Sequence, residues 1–150
     1  MSYRIVIYPL VVLVASVFLY LNSLNQEYHE ANFRGLPITV EFRKGEVKSG
    51  TDVFGKDWEK VMKHHYGCFD GIMGADGKEL DFYMNPNAIS DKIFRVTQLN
   101  VKTGEFDEYK IMLNFESITD AFTGYLQNYP PDWKGYGGIE EITLKELINE

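Results

Sequence analysis

The chain has 150 residues, with 22 acidic against 15 basic side chains and a formal net charge of −7. That balance excludes nucleic acid as the main partner, because phosphate backbones are held by basic patches. A single cysteine, Cys68, excludes a disulfide-stapled module, while 10 Phe, 10 Tyr and 2 Trp are ample for one hydrophobic core.

The first element is apolar. After Arg4 no charge occurs until Glu27, and Ile5 to Leu21 is almost wholly hydrophobic. A helix of about 20 residues crosses a hydrocarbon core of about 30 Å, so residues 1–26 read as an N-terminal membrane anchor. The competing reading is a cleaved signal peptide. Its only small-residue cluster, Ala15-Ser16-Val17, lies inside the apolar run, which favours the uncleaved anchor. Arg4 on one side and Glu27 and Glu30 on the other put the N-terminus in the cytosol. The remainder is then expected on the outer, periplasmic or extracellular side. Residues 27–35 read as a tether and 36–150 as one exported domain.

Within that domain, Leu36 to Lys44 alternates with Ile38, Val40 and Phe42 on one face and is expected to be a strand. Lys44 to Gly55 reads as a loop. Trp58, Val61, Met62 and His65 fall at helical spacing behind Asp57, which predicts a helix ended by Gly67. Cys68 to Met73 and Glu79 to Met84 flank an Asp-Gly turn and predict a hairpin. Ile93 to Val101 and Phe106 to Phe115 predict a second one. In its second arm Tyr109, Ile111, Leu113 and Phe115 are expected inside, with Glu108, Lys110, Met112 and Asn114 facing solvent. Ser117 opens a short helix, 127–138 is an aromatic loop, and Thr143 with Glu146 has the spacing of a capping box for a terminal helix. The expected fold is α+β: a transmembrane helix, then one antiparallel sheet with helices packed on one face.

Candidate chemistry is sparse. His64, His65, Cys68 and Asp70 are the one cluster with metal-ligating side chains, but adjacent helical histidines diverge by about 100°. Asp70 and Asp81 face each other across the first hairpin and could share a proton as an acid–base pair. Asp70, Asp76, Glu79 and Asp81 fail the spacing of a calcium loop. No phosphate-binding glycine loop, nucleophile elbow or zinc-protease motif occurs. We therefore expect no catalytic residue, no metal site and no cofactor.

The segment most like an interaction site is Tyr129 to Gly138, three aromatic residues in a Pro- and Gly-rich loop. It lies in the acidic part of the chain, since residues 103–150 hold 10 acidic and 3 basic side chains. Tyr129, Asp132, Trp133, Tyr136, Glu140 and Glu141 are thus the expected contacts for a protein partner with a basic surface. An envelope inhibitor or immunity-like protein, or an accessory subunit of an envelope complex, would fit. The competing reading is that Trp133 folds back and closes the core. A hydrolase with an unrecognised carboxylate or His site is the alternative function.

Overall fold

The computed structural model describes residues 31–149. Nine strands and two short helices follow in the order β1 (Ala31–Phe33), β2 (Leu36–Phe42), β3 (Val47–Thr51), β4 (Asp57–Val61), β5 (His65–Met73), β6 (Glu79–Met84), β7 (Ile93–Leu99), β8 (Phe106–Leu113), α1 (Ile118–Leu126), β9 (Tyr136–Ile142) and α2 (Leu144–Ile148). Seven strands form one sheet in the order β1-β2-β5-β6-β8-β7-β9, and β3 and β4 form a separate ribbon. The fold is mostly β, which corrects the α+β expectation.

Three features account for that correction. The helix expected from Asp57 is the strand β4, paired with β3 in the register Lys48↔Lys60 and Gly50↔Trp58. Trp58 and Lys60 turn inward on this ribbon while Asp57, Glu59 and Val61 are exposed. Lys60 counts as polar, so its inward position conceals the period-2 pattern of a strand. Opposite Trp58, a Cβ on Gly50 would come within 2.6 Å of the indole, so only glycine lets the ring lie across β3.

The sheet is also mixed. Hairpin β7–β8 inserts β8 beside β6, where the two run parallel in the register Asp81↔Lys110 and Tyr83↔Met112. Both faces of the sheet are consequently covered. Ile111 and Met112 are successive residues on opposite faces, and each is fully buried. One face carries Ile38, Val40, Phe69, Phe82, Ile93, Ile111 and Leu113, closed by Leu147 of α2. The other carries Tyr66, Tyr83, Phe94, Val96 and Met112, closed by Ala121 and Tyr125 of α1. The helices therefore lie on opposite faces rather than sharing one. Burying each of these large side chains contributes about 1.5–3 kcal/mol.

Local signals account for the ends of the elements. Ser117 caps α1 by accepting from the Asp120 N–H, and Thr143 and Glu146 form the complete capping box of α2. Register shifts in β5 between Cys68 and Met73, where Gly71 takes a φ of +80° that suits glycine.

The anchor expected over 1–26 lies outside the described residues. Among the described residues no helix is long and apolar enough to cross a membrane. The membrane partnership through an N-terminal helix, and the single-pass outward-facing localisation built on it, are withdrawn. Part of the expected tether is not a tether either, because Ala31–Phe33 pairs with Leu36–Ile38 as an edge strand.

Candidate functional site

The face closed by α1 is not uniformly apolar. Beside Met112 and Tyr83 it holds Lys110, Asp81, Glu108 and Tyr66, with the β3–β4 ribbon bringing Lys48 and Lys60 over them. Lys110 is placed by β8 and Asp81 by β6, as neighbours in the parallel register. Its side chain is 6 % exposed. All three ammonium protons are used: one on Asp81, one on Glu108 at 3.0 Å, and one on the Tyr66 hydroxyl at 3.2 Å. Tyr66 also donates to Asp81. Burial alone would disfavour the charge on Lys110. The Tyr66 hydroxyl, Asp81 and Glu108 outweigh it and hold the ammonium well above its usual range. For Glu108 burial dominates instead and raises the carboxyl, against the opposing pull of Lys110.

Lys48 and Lys60 are different. They sit directly opposite one another across the ribbon, where like charges destabilise a strand pair. Lys48 lies 3.4 Å above the centre of the Tyr66 ring and makes no hydrogen bond among the described residues. Lys60 spends two protons, on the Tyr83 hydroxyl at 3.3 Å and the Asn128 carbonyl at 2.9 Å. Among the described residues its third proton has no hydrogen-bond acceptor, and the ammonium stands 4.5 Å from the centre of the Tyr129 ring. Burial lowers both lysines, and the cations Lys48 and Lys110 help bring Lys60 to about 8. Such a cluster of half-buried cations carries unused donors at a cost in self-repulsion, which a bound anion removes.

The aromatic loop supports this cluster. The Trp133 indole N–H donates to the Tyr125 hydroxyl at 3.0 Å, and its ring stacks on Tyr129 with centroids 4.4 Å apart. Tyr125 and Tyr129 both donate to Oε1 of Gln98 at 2.9 Å, and the Gln98 amide donates to Glu108. Thus Trp133 folds back over the sheet, and Tyr129, Trp133 and Tyr136 belong to the core cluster on this face. The remaining expected contacts are not gathered with them. Asp132 is exposed on the loop, Glu141 is exposed on β9, and Glu140 pairs with Arg95 at 2.7 Å on the opposite face of the sheet.

The other sequence candidates separate likewise. His64 is buried against Asn128, whereas His65 accepts from the Lys44 N–H at 3.0 Å. Asp70 accepts from the Thr39 hydroxyl at 2.7 Å, and it is Cys68 rather than Asp70 that stands opposite Asp81 in the hairpin register. Cys68, Asp70 and Glu79 do come together, with ligand atoms all within 4.8 Å of one another. Burial, then the Glu79 carboxylate, pushes the Cys68 thiol up to about 12, the opposite of a reactive or metal-poised thiolate.

Sequence reading missed Lys48, Lys60, Tyr66, Glu108 and Lys110. One signal was available: Met112 shares a strand face with Lys110 and Glu108, so an apolar neighbour marked that face as covered.

The lysines and paired carboxylates thus share one partly buried face of the sheet. A family model described as inorganic pyrophosphatase matches residues 22–150, and the chain belongs to that family. No curated protein and no solved structure matches it. Membership of a hydrolase family leaves the immunity-protein reading without support, and that reading is withdrawn along with the envelope setting it assumed.

Proposed function

We propose that the chain hydrolyses a phosphoanhydride, with inorganic pyrophosphate as the simplest substrate. The observation that carries this reading is the Lys48–Lys60 pair, directly opposed across the ribbon, with Lys48 within electrostatic reach of Asp81 and Glu108. Family membership agrees with it. Lys48 and Lys60 bind phosphate oxygens and stabilise the charge that builds on the departing phosphate. Lys110 uses all its protons within the protein, so its role is to fix the two carboxylates. Asp81 keeps Oδ1 free of hydrogen bonds among the described residues, and that oxygen orients a water and takes its proton as the P–O bridge bond breaks.

The donor set also fits a divalent cation. Asp81 and Glu108 are hard oxygen donors held around one ammonium, and magnesium is commonly bound by one or two carboxylates with waters and substrate phosphates completing its shell. These two residues would hold it, and it would supply charge neutralisation and a more acidic bound water.

The test is phosphate release from pyrophosphate by the full chain with magnesium. Asp81→Asn is expected to lower kcat by about 100-fold or more while the fold is retained. Absence of phosphate release above background from the wild-type chain would overturn the reading.

A further inference from the structure

A polar groove lies outside the lysine cluster, between α1 and the turn joining β4 to β5. It has a volume of about 440 Å³, and His64, Lys44, Lys63, Asn85, Asn87 and Asp120 are among the residues that line it. His64 is 8 % exposed. Its orientation and proton are both fixed by Asn128. The Asn128 Oδ1 accepts from the Lys63 N–H at 3.0 Å and its Nδ2 donates to the Gly124 carbonyl at 2.9 Å, so the amide cannot be reversed. The same Nδ2 lies 2.9 Å from His64 Nδ1 and must donate to it. Nδ1 is therefore an acceptor, and the proton of the neutral ring is on Nε2.

Nε2–H makes no hydrogen bond within the described fold. No fully buried side-chain nitrogen or oxygen among the described residues lacks a partner, so this N–H is not sealed from solvent, and His64 is among the residues lining the groove. Burial, followed by the nearby Lys44 charge, brings His64 down to about 4, so the N–H stays a neutral donor across the physiological range. Asp120 acts on the same ring in the opposite sense to Lys44, favouring the charged form. Its Oδ2 accepts from the Glu116 N–H at 3.1 Å.

We propose that this groove binds hydrogen phosphate. The unused His64 N–H and the Lys44 and Lys63 ammoniums meet its bare oxygens, and its P–OH donates to Asp120. A fully ionised anion such as sulfate would instead place a lone pair against the Asp120 carboxylate, so the acid selects the protonated oxyanion. The ligand is free phosphate, the product that the proposed hydrolysis would release. The site itself stands on the His64 and Asn128 geometry and needs no turnover.

The experiment follows the ring nitrogen shifts of His64 by NMR in the full chain while inorganic phosphate is added without magnesium or pyrophosphate. A saturable shift is expected at Nε2. It should persist in the lysine-cluster variant Lys48→Ala/Lys60→Ala and weaken at least about tenfold in Lys44→Ala/Lys63→Ala, whose side chains are exposed. Sulfate should bind about tenfold more weakly than phosphate, a preference that Asp120→Asn removes. Absence of a His64 shift at millimolar phosphate overturns the proposal. So does a shift lost in the Lys48→Ala/Lys60→Ala variant, or one seen only with tripolyphosphate, since either would mean that the ligand is held at the lysine cluster. Because the readout is binding, these outcomes are independent of whether pyrophosphate is cleaved.

Discussion

Replacing Lys110 with methionine tests whether the buried ammonium is the centre that keeps the carboxylates in place. The substitution preserves length and volume and removes one charge from between Asp81 and Glu108, whose side chains are 22 % and 21 % exposed. Removing one partner of a buried ion pair costs about 3–5 kcal/mol. Water reaches both carboxylates, so the low end, about 3 kcal/mol, applies here at pH 7. The sign with pH follows from the ionisation that is left uncompensated. Without Lys110 the pull that opposes burial is lost, so the folded-state pKa of Glu108 rises further above its unfolded value. The destabilisation is then full above the raised folded pKa and fades as pH falls towards the unfolded value of about 4.3. Urea denaturation of wild type and Lys110→Met at pH 7 and pH 5 measures both effects. A loss below about 1 kcal/mol at pH 7, or an equal loss at the two pH values, would refute the assignment.

Three further outcomes follow from the same geometry. Lys60 loses its proton near pH 8, so the KM for pyrophosphate should rise as pH passes through that value, and Lys60→Ala should abolish that limb of the profile. At Gly67 an added Cβ would lie 1.9 Å from the Thr39 carbonyl oxygen, a backbone atom that cannot move without breaking the β2–β5 ladder; Gly67→Ala should cost about 3 kcal/mol or more by denaturant unfolding, and an unchanged midpoint would count against the register. Cys68 is buried with its thiol pushed up to about 12, so it should resist a thiol-specific reagent at pH 8 until the chain is unfolded; rapid labelling of the native protein would contradict that burial.

Local chemistry was legible along the chain. The Asp-Gly turn at Asp76-Gly77 was enough to place β6 and β5 from Cys68 onward, though not its first residues His65 to Gly67, and Lys102-Thr103-Gly104 enough to place β7 and β8. Ser117 and the Thr143–Glu146 box identified both helix starts, because capping is settled within one turn of backbone. These features depend on neighbours a few residues apart.

Long-range pairing was not readable, and it decided the site. Lys60 looked like a polar position on a helix until β3 gave it a strand partner and turned it inward beside Lys48. Lys110 looked like a solvent-facing residue until the parallel register set it against Asp81 and α1 covered that face. The aromatic loop suggested a contact surface, yet its rings are spent on Gln98, on one another and on the support of Glu108. By itself the sequence determined the turns, caps and most strands, because those are short-range choices. Only the tertiary structure decided which charged residues share a low-dielectric face, because a charge costs most where water is excluded and that is set by what packs above it.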